Sequence, residues 1–125
     1  MEYIWVGVGG FVGANARYIV GRFAAHRFGD AFPVATLIVN LTGSFAIGLL
    51  LTLLLDRWVA HPAWRLLLAV GFLGGYTTFS SYTYETLLLI EKGGWTRAVV
   101  YSAGSVLLGL GACAAGIAIG RLISH

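Results

Sequence analysis

Charged residues are so sparse in this sequence that they separate long apolar segments. Three segments carry no charge: 24 residues from Phe32 to Leu55, 19 from Leu66 to Tyr84 and 23 from Ala98 to Gly120. A helix needs roughly 20 apolar residues to cross the hydrocarbon of a bilayer. The pattern therefore predicts a membrane-spanning helix in each of these segments.

The first segment of the chain is less uniform, because Arg17 and Arg22 interrupt it. It is almost wholly apolar from Tyr3 to Ala16, and three hydrophobic segments follow it. We therefore expect it to span the membrane as well. The predicted fold is an all-α membrane protein, a single domain over residues 1–125, with four transmembrane helices at about residues 3–25, 32–55, 66–90 and 98–121.

The composition excludes several other classes of protein. Hydrophobic residues make up 58% of the chain and charged residues 10%, with a mean hydropathy of +0.84. Soluble domains carry about 25% charged residues, and disordered chains are poor in apolar ones. The formal charge of +3 rests on too few charges to indicate nucleic-acid binding. The sequence shows no paired carboxylates, phosphate-binding loop or metal-ligand cluster, so we do not expect an enzyme.

Basic residues are divided almost equally between the two sides of a four-span chain. The side of the termini and the middle connection holds three, Arg57, Arg65 and Arg121. The other side holds four, Arg22, Arg27, Lys92 and Arg97. Because basic residues normally set the orientation of a membrane protein, this near-equality means either that the orientation depends on weak cues or that the chain inserts in both orientations. A chain that inserts both ways can form an antiparallel two-fold dimer, which is a hypothesis at this point.

The second segment carries polar or small residues at every fourth position. Thr36, Asn40, Ser44 and Gly48 fall on one face of a helix. Small residues at this spacing usually let two helices approach closely, so we interpret Ser44 and Gly48 as packing positions. Asn40 is different, because an amide in hydrocarbon must find partners and its nitrogen offers two donors. We therefore expect a functional role for Asn40.

The third segment places glycines and hydroxyl groups in the middle of a predicted span. Gly74 and Gly75 are followed by four hydroxyl residues, Thr77, Thr78, Ser80 and Ser81, in the next six positions. This composition predicts a break in the helix. Unwound backbone there would offer carbonyls to a cation, or a half-helix N-terminus to an anion. A tightly packed kink is the alternative.

Two aromatic residues follow the predicted break. Phe79 and Tyr82 are three residues apart, so they share a face if the helix resumes. Aromatic ring edges are electropositive and can contact an anion without a full charge. The alternative is that these rings face lipid or serve as packing bulk.

The fourth segment has two rows of small or polar residues at helical spacing. Tyr101 and Ser105 are four apart and could form a polar track. Ala112, Gly116 and Gly120 form a row that is most simply a packing face. Two of the charged residues within the predicted spans are Arg17 in the first and Glu85 near the end of the third. Their side chains either reach towards the membrane–water interface or pair with each other.

Three blocks of sequence together resemble one known family. They are residues 9–18 (GGFVGANARY), 36–45 (TLIVNLTGSF) and 71–82 (GFLGGYTTFSSY). In this order, in a four-span chain of this size, they resemble the Fluc (CrcB) fluoride-channel family over nearly the full length. The resemblance implies a passive fluoride-selective channel that exports cytoplasmic fluoride across the inner or plasma membrane.

The resemblance also implies an assembly and a cation. The family forms a dual-topology antiparallel homodimer with two fluoride pores and a structural Na⁺ at its centre. Backbone carbonyls at the break would hold that ion, and by motif position these belong to Gly74 and Thr77. The near-equal basic count agrees with such a dimer.

The pore-lining positions are likewise carried over from the resemblance. They fall on Asn40, Phe79, Tyr82, Ser81, Tyr101 and Ser105, with Arg17, Thr36 and Glu85 at further polar positions. Tyr82 departs from the family pattern, which has phenylalanine there, so its hydroxyl either slows conduction or helps to coordinate the ion.

The rival interpretation is a small multidrug-resistance-type exporter, which is also a short four-span protein. Such a proton-coupled antiporter needs a carboxylate within its first span, whereas the only acid near the first span is Glu2, which precedes it, and the charge within it is Arg17. A structural membrane subunit is a second rival. Packing alone does not require four hydroxyl residues at the predicted break, so the sequence favours the channel.

Overall fold

The computed structural model describes residues 1–29, 31–56 and 62–124, and every regular element within them is helical. Three helices are long: α1 (Glu2–Phe28), α2 (Val34–Asp56) and α6 (Trp95–Ser124). The chain between α2 and α6 forms shorter elements: α3 (Pro62–Trp64), a π-helical segment (Arg65–Leu73), α4 (Gly74–Tyr76) and α5 (Phe79–Glu91). Arg57, which entered the comparison of basic residues above, lies outside the described residues.

Two of the helices are long and apolar enough to cross a membrane. They are the 21-residue stretch Val34–Leu54 of α2 and the 30-residue helix Trp95–Ser124. α1 has 27 residues and contains Arg17 and Arg22 along its length. The apolar side chains of α6 point largely outward, with Leu107 68% exposed. An outward apolar surface on all-helical architecture is typical of a membrane protein.

Glycines bring α2 and α6 into close contact. A Cβ atom on Gly48 of α2 would overlap the carbonyl oxygen of Cys113, and one on Gly116 of α6 would overlap that of Phe45. Gly120 is also buried against α2. The predictions that Gly48 packs against a helix and that Gly116 and Gly120 form a packing face are therefore confirmed.

Substitution of Gly116 tests this contact directly. Gly116→Ala should lower the free energy of unfolding by about 1–3 kcal/mol, because the added methyl group has no room between the two backbones. Gly111→Ala is the matched control, since nothing lies within 4 Å of a Cβ at Gly111 in the same helix. Thermal unfolding in detergent should show a lower Tm for the first variant and an unchanged or higher Tm for the second. Equal Tm values would contradict close packing at Gly116.

α1 packs in the same way against the helical run of residues 62–76. A Cβ atom on Gly9 would overlap the carbonyl oxygen of Leu67, and one on Gly13 would overlap that of Phe72. The Arg17 side chain extends along this interface and donates from Nε to the carbonyl oxygen of Gly75, at 3.2 Å. The small residues of α1 thus allow its backbone to support the end of this run.

The helical run ends at Tyr76, and α5 begins at Phe79. Between them the backbone is extended, with φ −86° and ψ 159° at Thr77 and φ −151° and ψ 120° at Thr78. Thr78 is the N-cap of α5, where its hydroxyl oxygen accepts a hydrogen bond from the Ser81 amide at 3.2 Å. This interruption determines the geometry of the candidate site.

Candidate functional site

An open cleft of about 370 Å³ lies beside the extended residues. Its walls come from α2, the π-helical segment, the interruption and α5. It brings together five residues that the sequence singled out: Asn40, Gly74, Thr77, Phe79 and Tyr82. Four of them lie close together between positions 74 and 82, and the fold brings Asn40 of α2 to them from a distant part of the sequence.

The Asn40 side chain pairs with the backbone of Thr78 in both directions. Its Nδ2 donates to the Thr78 carbonyl oxygen at 3.0 Å, and its Oδ1 accepts from the Thr78 amide at 2.9 Å. The Asn40 oxygen therefore replaces the backbone acceptor that the Thr78 amide would have in an uninterrupted helix, and the Asn40 nitrogen adds a donor at the Thr78 carbonyl. One amide hydrogen of Asn40 remains beyond this pair. Sequence reasoning identified Asn40 but not this partner, because nothing in the sequence joins positions 38 residues apart.

Two carbonyl groups at the interruption lose their usual helical donors. The amide of Thr78 would pair with Gly74 O in a continuous helix, but it donates to Asn40 instead. The amide of Ser81 would pair with Thr77 O, but it donates to the Thr78 hydroxyl. Carbonyl oxygens released in this way are the hard, neutral donors that an alkali cation accepts. The residues present therefore fit the cation site that the resemblance implies.

Hydroxyl groups cluster at the start of α5. The Thr78 Oγ1 lies 3.3 Å from the Ser80 Oγ and 3.2 Å from the Ser81 Oγ, as donor to the latter. The Thr77 hydroxyl instead donates to the carbonyl oxygen of Leu73, at 2.9 Å. Gly43 of α2 makes space for Thr77, since a Cβ on Gly43 would overlap the Thr77 methyl group. Thr77 and Thr78 line the cleft with Gly43, whereas Ser81 lies behind Thr78 and is not part of the lining.

The two aromatic residues of α5 differ in their surroundings. Phe79 is 76% exposed, while its ring centroid lies 5.7 Å from that of Tyr82. Tyr82 is partly buried, and its hydroxyl donates to the carbonyl oxygen of Ser102 on α6 at 2.8 Å. The phenol of Tyr82 is therefore an anchor between α5 and α6, and Tyr82 also lines the cleft.

Tyr101 and the polar residues near it lie in the interior instead of in the cleft. Tyr101 is 1% exposed, and its hydroxyl donates to Glu85 Oε1 at 3.1 Å. Thr36, which is also buried, lies near the same phenol. Ser105 Oγ is buried without a hydrogen-bond partner among the described residues. Within one chain, the structure does not bring these four predicted residues into the cleft with Asn40.

Arg17 and Glu85 do not pair with each other. Arg17 bonds the carbonyl of Gly75, and Glu85 bonds Tyr101. A second cavity of about 830 Å³ lies where α5 ends and α6 begins, and Glu85, Lys92 and Arg97 line it. Two cationic side chains at one opening raise the local concentration of anions.

These features define a class of protein, the small all-helical membrane proteins with an interrupted, polar helix. The chain belongs to the CrcB-like protein, Camphor Resistance (CrcB) family, whose model matches residues 4–117. The resemblance noted from the three sequence blocks is therefore confirmed.

Curated relatives carry a consistent name. The chain is 46% identical over 121 residues to a protein of Solibacter usitatus, which covers 97% of this chain and 99% of the relative. It is 46% identical over 123 residues to one of Acidobacterium capsulatum, with 98% of both chains covered. A protein of Koribacter versatilis is 52% identical over 94 residues, 75% of each chain. Each of these three relatives is named "Fluoride-specific ion channel FluC".

Proposed function

We propose that this protein is a passive, fluoride-selective channel that exports cytoplasmic fluoride. The observation that carries this proposal is the polar interruption held by Asn40, because it brings a spare amide hydrogen and the Phe79 and Tyr82 rings to one cleft. The name borne by the relatives supports fluoride as the ion. None of the cleft residues carries a formal charge.

A neutral lining of this kind suits conduction of a small, strongly hydrated anion. The filter must replace the hydration shell with donors while holding the ion weakly enough for it to leave. Asn40 would supply an amide hydrogen, and the hydroxyls of Ser80 and Ser81 would supply further donors. The rings of Phe79 and Tyr82 would present positive edges. A fixed lysine or arginine at the same place would bind the ion too tightly for rapid release.

The cleft is open in a single chain, so the proposal includes a second copy. An antiparallel homodimer would cover the exposed Phe79 ring and enclose one pore on each side of the two-fold axis. In the dimer, Tyr101 and Ser105 of the neighbouring chain would continue the path of the fluoride ion. The carbonyl oxygens of Gly74 and Thr77 would hold a structural Na⁺ at the centre. When bound, Na⁺ would supply a fixed positive charge that offsets the negative partial charges of the carbonyl oxygens around it.

The four-span arrangement and the location in the cell membrane are part of the same proposal. α2 and α6 have the length and hydropathy of spans. α1 has 27 residues, and α5 follows the 62–76 run after the interruption, so both could cross the bilayer in the assembled dimer. Lys92 and Arg97 would then gather anions at one mouth of the pathway.

Liposome flux under two driving forces tests the proposed mechanism. Vesicles that contain the purified protein are loaded with potassium fluoride and diluted into fluoride-free buffer with no pH gradient. A passive channel releases fluoride when valinomycin allows K⁺ to balance the charge, and releases little without it. Release that depends on an imposed pH gradient, and not on valinomycin, would contradict the channel and favour proton-coupled transport.

The role of the Tyr82 hydroxyl can be separated from that of its ring. Tyr82→Phe should keep fluoride flux within about threefold of the original, because the hydroxyl already donates its hydrogen to the Ser102 carbonyl oxygen. Loss of this partly buried hydrogen bond should cost about 1 kcal/mol of stability. The control is Tyr84→Phe, since Tyr84 is 65% exposed. A tenfold loss of flux in Tyr82→Phe alone would show that the hydroxyl takes part in conduction.

A further inference from the structure

Three consecutive residues at the interruption lie against α2. Thr78 pairs with the side chain of Asn40 in both directions. Thr77 lies at Gly43, where an added Cβ would overlap the Thr77 methyl group. Tyr76, the last residue of the helical run, has its ring beside the same glycine, since that Cβ would be 3.5 Å from the Tyr76 Cδ2. α2 therefore supports the whole change from helix to extended backbone.

The phenol of Tyr76 is bonded to α2 as well. Its oxygen lies 2.9 Å from the Thr42 Oγ1. The one hydrogen of the Thr42 hydroxyl is directed to its own helix, where the Ile38 carbonyl oxygen lies 2.7 Å away. Stacking on Phe72, at a centroid distance of 5.8 Å and an interplanar angle of 10°, orients the Tyr76 ring. The phenol of Tyr76 is therefore the donor to Thr42.

Asn40 and Thr42 hold the interruption from two directions. Positions two apart on a helix differ by about 200° around its axis. The bonds to Thr78 and to Tyr76 therefore start from nearly opposite sides of α2. The segment between them resists both sliding along α2 and rotation about it. The carbonyl group of Thr77, one of the two proposed cation ligands, lies within this segment.

We propose that Tyr76 and Thr42 are positioning residues for the cation site, because their hydrogen bond fixes the backbone that carries the carbonyl oxygens of Gly74 and Thr77. The inference rests on the proposed function, to which the cation site belongs. A site built from backbone carbonyls depends on their number and placement, so a looser segment would bind the same ion more weakly. Neither hydroxyl is a ligand in this proposal, since each acts through the backbone.

Hydrogen exchange during a titration with Na⁺ tests the pair without any flux measurement. Mass spectrometry follows the backbone amides of residues 74–81 in the purified protein while Na⁺ replaces N-methylglucamine. Bound Na⁺ should slow this exchange in the original chain, because a ligand stabilises the state that binds it. Tyr76→Phe keeps the stacked ring and Thr42→Val keeps the side-chain volume. We expect each to raise the Na⁺ concentration at half effect about fivefold, as the loss of one hydrogen bond implies. The double variant should need no more Na⁺ than either single variant, because all three lack the same bond.

Three further variants serve as controls. Thr42→Ser keeps the hydroxyl and should restore the original Na⁺ requirement. Thr86→Val removes a hydroxyl that likewise donates one turn back, to the Tyr82 carbonyl oxygen at 2.8 Å. Tyr84→Phe removes an exposed phenol of the same helix. Both of these residues lie outside the pair, so their variants should bind Na⁺ like the original chain.

Two results would overturn the role of the pair. One is an unchanged Na⁺ requirement in Tyr76→Phe and Thr42→Val, even where the Tm falls, which would mean that the bond only stabilises the fold. The other is exchange of residues 74–81 that does not respond to Na⁺ in the original chain. Failure of the proposed function has a different signature: liposomes with the original chain release no fluoride, while Na⁺ still slows exchange and the variants still shift its midpoint.

Discussion

Asn40→Ala is expected to lower fluoride flux roughly 10- to 100-fold, since a hydrogen bond to a charged group is worth about 1.5–3 kcal/mol. The substitution removes the spare amide hydrogen that faces the cleft. It also removes both bonds to the Thr78 backbone and leaves that amide and carbonyl without their partner. The expected loss of fluoride flux therefore has two causes. The ion loses the Asn40 amide as a hydrogen-bond donor, and the extended backbone at Thr77 and Thr78 is held less firmly.

Stability measurements separate these two causes. Asn40→Ala should also unfold at a lower temperature, because two partly buried backbone groups lose their hydrogen bonds. Asn40→Asp keeps an oxygen acceptor for the Thr78 amide but has no donor and carries a negative charge, so we expect it to lose flux with less loss of stability. Asn15→Ala, at the only other asparagine of the chain, is the control and should conduct normally. Normal flux in a purified, folded Asn40→Ala protein would remove Asn40 from the pathway.

Phe79→Leu is expected to reduce fluoride flux about tenfold or more while hardly changing the stability of the single chain. Phe79 is 76% exposed and contributes little to the interior, so its replacement leaves the fold intact. Leucine fills a similar volume but has no positive ring edge. The variant would thus remove one of the proposed anion contacts without creating a cavity in the chain itself.

A second exposed phenylalanine provides the control for this experiment. Phe23 is 67% exposed on α1, outside the cleft, so Phe23→Leu should conduct like the original chain. Fluoride-electrode recordings from liposomes, together with thermal unfolding, measure both properties. Equal flux for the two variants would exclude the Phe79 ring as a contact of the ion. A large loss of stability in Phe79→Leu would instead indicate a packing role.

Much of the helical framework could be predicted from the sequence, because it depends on local composition. The charge-free runs Phe32–Leu55 and Ala98–Gly120 form most of α2 and α6, and the four-residue spacing of small residues predicts the close contact that Gly48 and Gly116 make. The π-helical turns of Arg65–Leu73 could not be predicted in this way. Apolar residues follow one another there, and periodicity does not reveal how tightly the backbone is wound.

The partners of the site residues could not be predicted, because they depend on contacts between distant segments. The spacing of Asn40 marked it as unusual but did not indicate that its amide pairs with Thr78. The position of Tyr82 likewise did not indicate that its hydroxyl donates to the carbonyl oxygen of Ser102 on another helix. Tyr101 and Ser105 fall on one helix face, yet the fold buries them away from the cleft. Sequence patterns identify candidates, and tertiary contacts decide their roles.

Selectivity between fluoride and chloride decides whether the cleft residues form a fluoride filter. Liposomes that contain the purified protein are loaded with equal concentrations of the two potassium salts, and both anions are followed after valinomycin is added. We expect rapid fluoride release with chloride release no faster than from protein-free liposomes, because a neutral filter of donors and ring edges replaces the water of the smaller ion. Release of both anions at similar rates, or of neither from folded protein, would contradict it.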